Sequence, residues 1–274
     1  MCANLLKFIQ MYTEKLSILS KMEIYNKLRH FELVDQIIPC LEHCGQKIME
    51  IYEDFNIDIQ IKEDNSPLTK ADIASHQIIC ECLQSSGYPI ISEESDDIYT
   101  KAPKYWLVDP LDGTKEFINK NGEFTINIAL IENRYPLEGY VYSPSRKTLY
   151  VGGSNKNSYK IQNSILEQIQ TSSISDPIRI VASRSHLNYE TKKYISQFPQ
   201  YELLQSGSSI KLCMVAEGRA DVYPRFAPTS EWDTAAAQAV VEGAGGSVLD
   251  EKGDRLIYQK DNILNPHFIV KGNK

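Results

Sequence analysis

The sequence predicts a two-part protein, with helices packed on a mostly antiparallel sheet in the first half and an α/β second half. Three strand-like segments, "FTINIALIEN", "PLEGYVYSP" and "KTLYVGG", follow one another and are closed by polar, Pro or Gly residues. Beyond residue 177, strand-like and helix-like segments alternate, beginning with "IRIVAS", "NYETKKYISQF", "YELLQ" and "SSIKLCMVAEG". A chain of 274 residues with 42% hydrophobic residues is long enough for one large core or two smaller ones.

The elements that precede these strands are predicted to be mainly helical. Apolar residues from Leu28 to Phe55 recur near one helical stripe, which predicts a long helix that Pro39 kinks. A second helix is predicted to begin near Thr69 and to end at Gly87. The segments "YPIIS" and "YWLVD" then have the composition of short buried strands.

The polar, weakly patterned stretch 152–177 is the best candidate for a boundary between the halves. We therefore expect an N-terminal α+β half at 22–155 and a C-terminal α/β half at 156–274. Residues 1–21 form an N-terminal extension of uncertain role. They fit an additional amphipathic helix, and they also fit upstream sequence ahead of a start at Met22.

Composition and charge exclude several classes of function. The formal net charge is −7 and no block of Lys or Arg stands out, which argues against binding a nucleic acid polymer. No apolar run approaches the ~18 residues of a transmembrane segment, and no signal peptide is evident. We expect a cytoplasmic protein, with peripheral association with the inner membrane left open.

The segment "CLEHC" offers a possible zinc site through Cys40, His43 and Cys44. No second Cys/His pair follows at a zinc-like distance. Free thiols on a buried helix face are the favoured interpretation.

Carboxylates follow the ends of several apolar segments, and each has an ordinary structural explanation. In "WLVDPLDGTKEF", Asp109 and Asp112 could belong to an Asp-Pro turn. Glu93 in "SEES" could lie in the first turn of a helix, and Asp233 could cap the Ala-rich helix that follows it. Asp72 could lie on a solvated helix face.

Taken together, these carboxylates favour a metal site. Strand ends converge, and clustered carboxylates repel one another unless cations lie between them. Oxygen ligands without accompanying Cys or His suit Mg²⁺. Gly113 and Thr114 open a short predicted helix, "GTKEFINK", whose first N–H groups suit a phosphate. The pattern predicts metal-assisted phosphoryl hydrolysis.

The segments "WLVDPLDGTKEF" and "EWDTAAAQAVVEGAGG" resemble the two signature motifs of the inositol monophosphatase superfamily of lithium-sensitive, Mg²⁺-dependent phosphatases. The resemblance covers about residues 30–272. Within the superfamily, "DNSPLTKADIASH", "YSPSRKTLYVGG", "VASRSH" and "YPRFAPTSEWDTAA" are most similar to the bacterial bisphosphate nucleotidases of CysQ type. Plain inositol monophosphatases usually have Thr-Asn-Phe where this chain has Lys115-Glu116-Phe117. The resemblance implies a layered α-β-α-β-α sandwich of the inositol monophosphatase/fructose-1,6-bisphosphatase type.

The same resemblance implies roles for individual residues. The implied ligands of two or three Mg²⁺ ions are Glu93, Asp109, the Leu111 carbonyl, Asp112 and Asp233, with Asp109 bridging two ions. Thr114 and Glu93 would orient the attacking water, and Asp72 would help to bind or activate a water near a further ion. The N–H groups of Gly113 and Thr114 would hold the scissile phosphate.

Contacts to the rest of the substrate are less closely defined by the sequence. The candidates are Ser208, Ser209 and Lys211 at a predicted helix start, Arg184 and His186 in "SRSH", and Glu231 and Arg225 beside the Asp233 motif. An ordinary Ser cap and a surface loop remain open as explanations.

The resemblance implies a small-molecule nucleotide bisphosphate substrate. The expected reaction is hydrolysis of adenosine 3′,5′-bisphosphate to AMP and phosphate, by direct attack of a metal-activated water on phosphorus. An inositol or sugar monophosphatase and a non-catalytic phosphometabolite-binding regulator are the alternatives. The sequence predicts no oligomeric state.

Overall fold

Two β-sheets separated by helices organise the structure, a computed structural model that describes residues 21–54, 59–62, 67–96, 99–184 and 187–272. The predicted extension up to residue 20 and His186 lie outside these ranges. Within them, no helix is both long and apolar enough to cross a membrane.

Residues 21–28 are helical, and six further helices follow within the described ranges. The helices are α1 (Val34–Tyr52), α2 (Lys70–Leu83), α3 (Thr114–Ile118), α4 (Tyr189–Ile195), α5 (Ile210–Ala216) and α6 (Glu231–Gly243). The strands are β1 (Ile59–Ile61), β2 (Pro67–Thr69), β3 (Ile90–Ser92), β4 (Lys104–Asp112), β5 (Thr125–Glu132), β6 (Tyr135–Ser143), β7 (Thr148–Gly153), β8 (Lys156–Gln162), β9 (Ile165–Ile169), β10 (Ile178–Ser183), β11 (Tyr201–Ser206), β12 (Val222–Arg225), β13 (Ser247–Asp250) and β14 (Phe268–Lys271).

The larger of the two main sheets has seven strands in the order β3-β4-β5-β6-β7-β8-β9, and the smaller has five in the order β11-β10-β12-β14-β13. Strands β1 and β2 form a separate two-stranded antiparallel sheet. In the larger sheet, β3 is parallel to β4 and every other pair is antiparallel. In the smaller sheet, β10 is parallel to β11 and β12, whereas β14 is antiparallel to both its neighbours. The predictions of an antiparallel first sheet and an α/β second half are therefore confirmed.

The two faces of β5 show how the layers are stacked, because successive side chains of a strand point to opposite faces. Ile126 and Ile128 join the core formed with α1 and α2. Ala129 and Ile131 join a second core, formed with α5, α6 and the smaller sheet. The far face of the smaller sheet packs on α4. The order helix–sheet–helix–sheet–helix confirms the sandwich implied by the sequence.

The helical predictions for the first half are confirmed in type, although one boundary is wrong. The long helix predicted from Leu28 is broken at residues 29–33, and α1 begins after Leu33, which has a φ of 50°. Pro39 lies inside α1. The second helix, α2, continues into a 3₁₀ turn that ends at Gly87, where φ is 71°. A positive φ is the conformation for which glycine is best suited.

The polar stretch predicted as a boundary, 152–177, contains β8 and β9, which extend the larger sheet. Many side chains of these strands are exposed or half-buried, so their sequence lacks the apolar pattern of a buried strand. We propose that the division between the halves falls after Ile169 rather than at residue 155.

Helix α6 packs unusually closely on the larger sheet, because glycines on two strands face it. A Cβ atom at Gly139 would lie 2.7 Å from the carbonyl carbon of Ala236, and one at Gly152 would lie 2.7 Å from the Cα of Val240. No real side chain fits at such distances from a backbone. The two glycines therefore set the depth at which α6, and the residues of its first turn, meet the sheet.

The close packing predicts a large effect of Gly139→Ala. The added methyl overlaps helix backbone that cannot rotate away, so the free energy of unfolding should fall by about 3 kcal/mol, the upper end of the usual overpacking cost. Gly253→Ala is the control, because Gly253 has a φ of 86° but open space around it. Its cost should be backbone strain of roughly 1–2 kcal/mol. Urea unfolding of both variants checks this, and equal losses would contradict it.

Candidate active site

A β-bulge in β4 brings two of the predicted metal ligands to the same face of the larger sheet. Asp109 pairs with Asn127 and Asp112 pairs with Thr125, so β4 has one residue more than β5 between these pairs. In a regular strand, residues three apart point to opposite faces, and one extra residue reverses that relation. Both carboxylates therefore face α6. The turn considered from the sequence is absent here, because β4 continues to Asp112.

The bulge has a local cause in the sequence. Pro110 has no N–H to offer the neighbouring strand. The N–H of Leu111 donates to Asp109 Oδ1 at 3.0 Å instead of extending the ladder. Leu111 itself is turned into the core beneath α1 and α2, which anchors the bulge.

The third carboxylate, Asp233, comes from the first turn of α6. Ser230, rather than Asp233, is the N-cap, and the two form a capping box in which Ser230 N–H donates to Asp233 Oδ2 at 2.8 Å. Oxygen atoms of Asp109, Asp112 and Asp233 lie within 4.8 Å of one another. The structure therefore brings together three predicted ligands from both halves of the chain.

The pKa shifts of these groups reflect their confinement. Burial raises the pKa of Asp109 well above its ordinary value, and the neighbouring carboxylates Glu93, Asp112 and Asp233 raise it further. Burial, together with Asp112 and Glu93, raises the pKa of Asp233 to about 8. Burial also raises the pKa of Asp112, against the attraction of Lys211. Without a cation, the cluster therefore favours bound protons.

Glu93 follows β3 and continues its parallel pairing, since its N–H donates to the Val108 carbonyl at 3.1 Å. Its carboxylate stands outside the trio, and Lys62 Nζ lies 2.9 Å from its Oε1 and 2.5 Å from Glu94 Oε1. Burial raises the pKa of Glu93 to about 7 although Lys62 opposes the shift. Glu93 is nevertheless close enough to raise the pKa of Asp109 and Asp233. Lys62 was not predicted as a site residue, because no motif in the sequence indicates it.

Asp72 is buried, so its placement on a solvated helix face is excluded. Its Oδ2 accepts from the N–H of Thr69 at 2.8 Å in a capping box that begins α2. Its Oδ1 lies 3.3 Å from the hydroxyl of Thr114, which is also 3.2 Å from the Leu111 carbonyl oxygen. Burial raises the pKa of Asp72 to about 6 against the hydrogen bonds from Thr69. Thr114 and Asp72 are thus in contact.

Helix α3 begins at Thr114, as predicted from "GTKEFINK". Gly113 precedes it with a φ of 87°, and a Cβ there would lie 3.2 Å from the Glu123 carbonyl oxygen and 3.3 Å from the Ser208 Cβ. Glycine is required by both the conformation and the space. The turn joins the bulge of β4 directly to the helix start.

Asp112 is held by residues from both halves. Its Oδ2 accepts from the N–H of Ser209 at 2.6 Å, and Thr125 Oγ1 and Asn127 Nδ2 each lie 3.4 Å from it. The Ser209 hydroxyl in turn bonds Thr125 at 2.8 Å and Asn127 at 2.7 Å. Thr125 and Asn127 were not predicted as site residues. Two polar residues at alternate positions of an otherwise apolar strand do, however, indicate a face that meets polar groups.

Ser208, Ser209 and Lys211 lie at a helix start, as predicted, because α5 begins at Ile210. Lys211 is buried, and its Nζ donates to the Ser208 carbonyl at 2.5 Å. Burial lowers the pKa of Lys211 to about 8, and the attraction of Asp112 opposes the shift. Ser208, Ser209 and Lys211 all line the pocket, and Ser209 also donates to Asp112.

The remaining predicted contacts are less central. Arg225 lines the pocket, with its guanidinium bound to the carbonyls of Ala227 and Pro228. Arg184 instead pairs with Glu123, and Glu231 pairs with Lys260 at 2.5 Å. Neither Arg184 nor Glu231 is among the described residues that line the pocket.

These residues surround a cavity of about 260 Å³ at the junction of the two halves. The cavity is lined by Glu93, Asp109, Asp112, Thr114, Lys211 and Asp233, among others. The zinc alternative at "CLEHC" is not supported by the positions of its residues, because Cys40 and Cys44 are buried beside α2 and His43 is exposed.

Comparison with known proteins agrees with this geometry. A model of the inositol monophosphatase family matches residues 32–273. The chain belongs to the inositol monophosphatase family. Within this family, a protein named 3′(2′),5′-bisphosphate nucleotidase CysQ from Escherichia coli K12 is 42% identical over 245 residues, which cover 87% of this chain and 99% of that protein. A protein of the same name from Buchnera aphidicola is 40% identical over 248 residues, covering 88% and 92%.

Solved structures of the family have the same fold. The crystal structure of CysQ from Bacteroides thetaiotaomicron is 41% identical and matches with a TM-score of 0.80 over 89% of this chain and 99% of that one. An inositol monophosphatase from Thermotoga maritima, at 22% identity, matches with a TM-score of 0.73 over 88% and 92%. Family members use divalent metal ions, and the Asp cluster is where such ions would bind.

The raised pKa of Asp233 predicts that Asp233→Asn stabilises the metal-free protein at about pH 8. A folded-state pKa of about 8 against an unfolded value of roughly 3.9 means that the metal-free protein loses stability as pH rises between these values. Asn adds no negative charge to the buried cluster. The metal-free variant should therefore melt at a higher temperature than the metal-free wild type at about pH 8. This difference in melting temperature should shrink towards about pH 4, where Asp233 is protonated.

Asp221→Asn is the matched control for this experiment. Burial alone would raise the pKa of Asp221, but hydrogen bonds from Arg179 and Ser175 hold it below its ordinary value. Its loss should therefore destabilise the protein at about pH 8. Thermal melts in the presence of a chelator measure both effects. An Asp233→Asn protein that melts below the wild type at about pH 8 would contradict the electrostatic account.

Proposed function

We propose that this chain is a magnesium-dependent 3′(2′),5′-bisphosphate nucleotidase that hydrolyses adenosine 3′,5′-bisphosphate to AMP and phosphate. The observation that carries the proposal is the Asp109–Asp112–Asp233 cluster beside the Thr114 helix start. It occurs in a chain that is 42% identical to a CysQ nucleotidase over nearly its full length.

The donor set fits Mg²⁺. The three carboxylates contribute only oxygen atoms, and burial and mutual repulsion raise the pKa of Asp109 and Asp233, so that a bound cation would offset the repulsion. We propose that Asp109, Asp112, Asp233, Glu93 and the Leu111 carbonyl hold two or three ions. When bound, the ions would activate water at neutral pH and neutralise charge on the leaving oxygen.

The protein groups around the cluster orient the reactants. The N–H groups of Gly113 and Thr114, at the start of α3, would donate hydrogen bonds to the scissile phosphate. The Thr114 hydroxyl, held near Asp72 Oδ1, accepts from the attacking water and fixes its direction. Glu93, which lines the same cavity, would orient this water together with Thr114. Asp72 supports this step by holding Thr114.

We expect positive groups that line the cavity to bind the rest of the substrate. Lys211 and Arg225 line it, and Ser208 accepts a hydrogen bond from Lys211 and lies beside the Gly113 turn. We assign Lys211 and Arg184 to the second phosphate, with Ser208 and Ser209 supporting them. Glu231 accepts a hydrogen bond from Lys260 and would affect substrate binding only through the packing of the first turn of α6.

The substrate preference of the purified protein tests the proposal. With Mg²⁺, kcat/KM for adenosine 3′,5′-bisphosphate should exceed that for inositol 1-phosphate by at least about tenfold, since a charged hydrogen bond contributes roughly 1.5–3 kcal/mol. Lys211→Ala should erode this ratio. Lys160→Ala, which removes a lysine paired with Glu217 at the far end of α5, should not.

Two outcomes would overturn the assignment. A preference for inositol 1-phosphate would make the chain a monophosphatase with the same metal site. Tight binding of the bisphosphate with no phosphate release at any Mg²⁺ concentration would make it a non-catalytic binding protein.

A further inference from the structure

The carboxylate of Glu123, which the sequence analysis did not single out, is bound by groups from three separate segments. Arg184 at the end of β10 donates from Nε to Oε2 at 3.1 Å and from Nη2 to Oε1 at 3.0 Å. The N–H of Gly207, before α5, donates to Oε2 at 2.9 Å. Arg146, in the turn between β6 and β7, places Nη2 3.6 Å from Oε1. Glu123 belongs to the N-terminal half, whereas Arg184 and Gly207 belong to the C-terminal half.

The backbone around Gly207 packs directly on Glu123. A Cβ at Gly207 would lie 2.6 Å from the Glu116 Cγ, 2.8 Å from the Glu123 carbonyl oxygen and 3.0 Å from the Glu123 Cβ. Since no side chain fits there, the loop at 206–209 rests on Glu123 without a spacer. Glu123 therefore holds the loop in two ways, by direct packing and by the hydrogen bond from Gly207 to its carboxylate.

The same loop enters the active site two residues later. Ser209 N–H donates to Asp112 at 2.6 Å, and the Ser208 carbonyl accepts from Lys211. Two carboxylates of the N-terminal half thus hold one loop of the C-terminal half. Asp112 lines the cavity, whereas neither Glu123 nor Arg184 is among the described residues that line it.

Arg184 keeps exposed surface for a ligand, although Glu123 as well as Glu116 raises its pKa. One carboxylate is shared by two guanidinium groups, of which Arg184 is about half exposed, with 48% of its side-chain surface accessible. Arg184 uses Nε and Nη2 for Glu123 and the Gln205 carbonyl. Among the described residues, its Nη1 group makes no hydrogen bond. A guanidinium held on one edge presents the other edge in a fixed direction.

We propose that Glu123 is a positioning residue that holds Arg184 and the 206–209 loop together as one anion-binding unit for the second phosphate of the substrate. The inference rests on the proposed nucleotidase function and adds to it a residue that makes no contact with the substrate itself. The competing explanation is a partly buried ion pair that only stabilises the junction of the halves. The two explanations differ in selectivity, because a purely stabilising pair affects all substrates alike.

Glu123→Gln tests the inference. Gln keeps the shape and still accepts from Gly207, but its amide donors face the guanidinium of Arg184. The ratio of kcat/KM for adenosine 3′,5′-bisphosphate to that for inositol 1-phosphate should fall about tenfold, the loss of one charged hydrogen bond. The fall should come from a higher KM for the bisphosphate. In the Arg184→Ala background, Glu123→Gln should lower the ratio by less than about twofold, because both changes remove the same unit.

Glu217→Gln is the matched control. Glu217 is the C-cap of α5, the helix that Ser209 begins, and its buried carboxylate is also shared by two cations, Lys160 at 2.7 Å and Arg219 at 3.2 Å. Its removal should lower the melting temperature about as much as Glu123→Gln and leave the substrate ratio unchanged. If Glu123→Gln does not fold, Glu123→Asp keeps the charge, withdraws it by one methylene, and should lower the same ratio.

The outcomes separate this inference from the proposed function. A wild-type protein without preference for the bisphosphate overturns both. A wild-type preference that persists in Glu123→Gln, or falls equally in Glu217→Gln, leaves the nucleotidase function standing and overturns the positioning role.

Discussion

The mutual repulsion of Asp109, Asp112 and Asp233 is the constraint on which the rest of the structure depends. Carboxylates within 4.8 Å of one another raise each other's pKa, and burial adds to the effect. Such an arrangement costs stability when the carboxylates are ionised in the metal-free fold, and bound protons or cations offset that cost. The protein holds the carboxylates there through its backbone, by a bulge in one strand and a capped helix start.

The two halves of the chain form the site by packing directly on each other. Gly139 and Gly152 let α6 lie directly on the larger sheet, so Asp233 reaches the strand that carries Asp109 and Asp112. The loop before α5 is held to the sheet by Asp112 and Glu123. Metal binding and the packing of the halves are therefore coupled, because the same residues take part in both.

Local signals were sufficient to predict most helices and strands, the carboxylates at the ends of apolar segments and the helix start at Thr114. The layered sandwich and the ligand roles of the three aspartates were implied by the family resemblance. An apolar strand, a Gly turn and an Ala-rich helix can each be recognised within about fifteen residues. The strands β8 and β9 were missed because they are half-exposed and lack the apolar pattern. The pairing of Glu93 with Lys62, and of Glu123 with Arg184, depends on residues that are distant in sequence. Thr125 and Asn127 were predicted as strand residues, but their contacts with Asp112 follow from the register of β4 and β5.

Calorimetric titration of the metal-free protein with Mg²⁺, in two buffers of different ionisation enthalpy, tests the central claim most directly. The dependence of the binding enthalpy on the buffer gives the number of protons released. Because the pKa of Asp233 is about 8 and that of Asp109 is well above its ordinary value, binding at about pH 7 should release about one proton or more. This number should fall as the pH rises above about 9. Binding at about pH 7 without proton release would show that the carboxylates are already ionised, and would contradict the account.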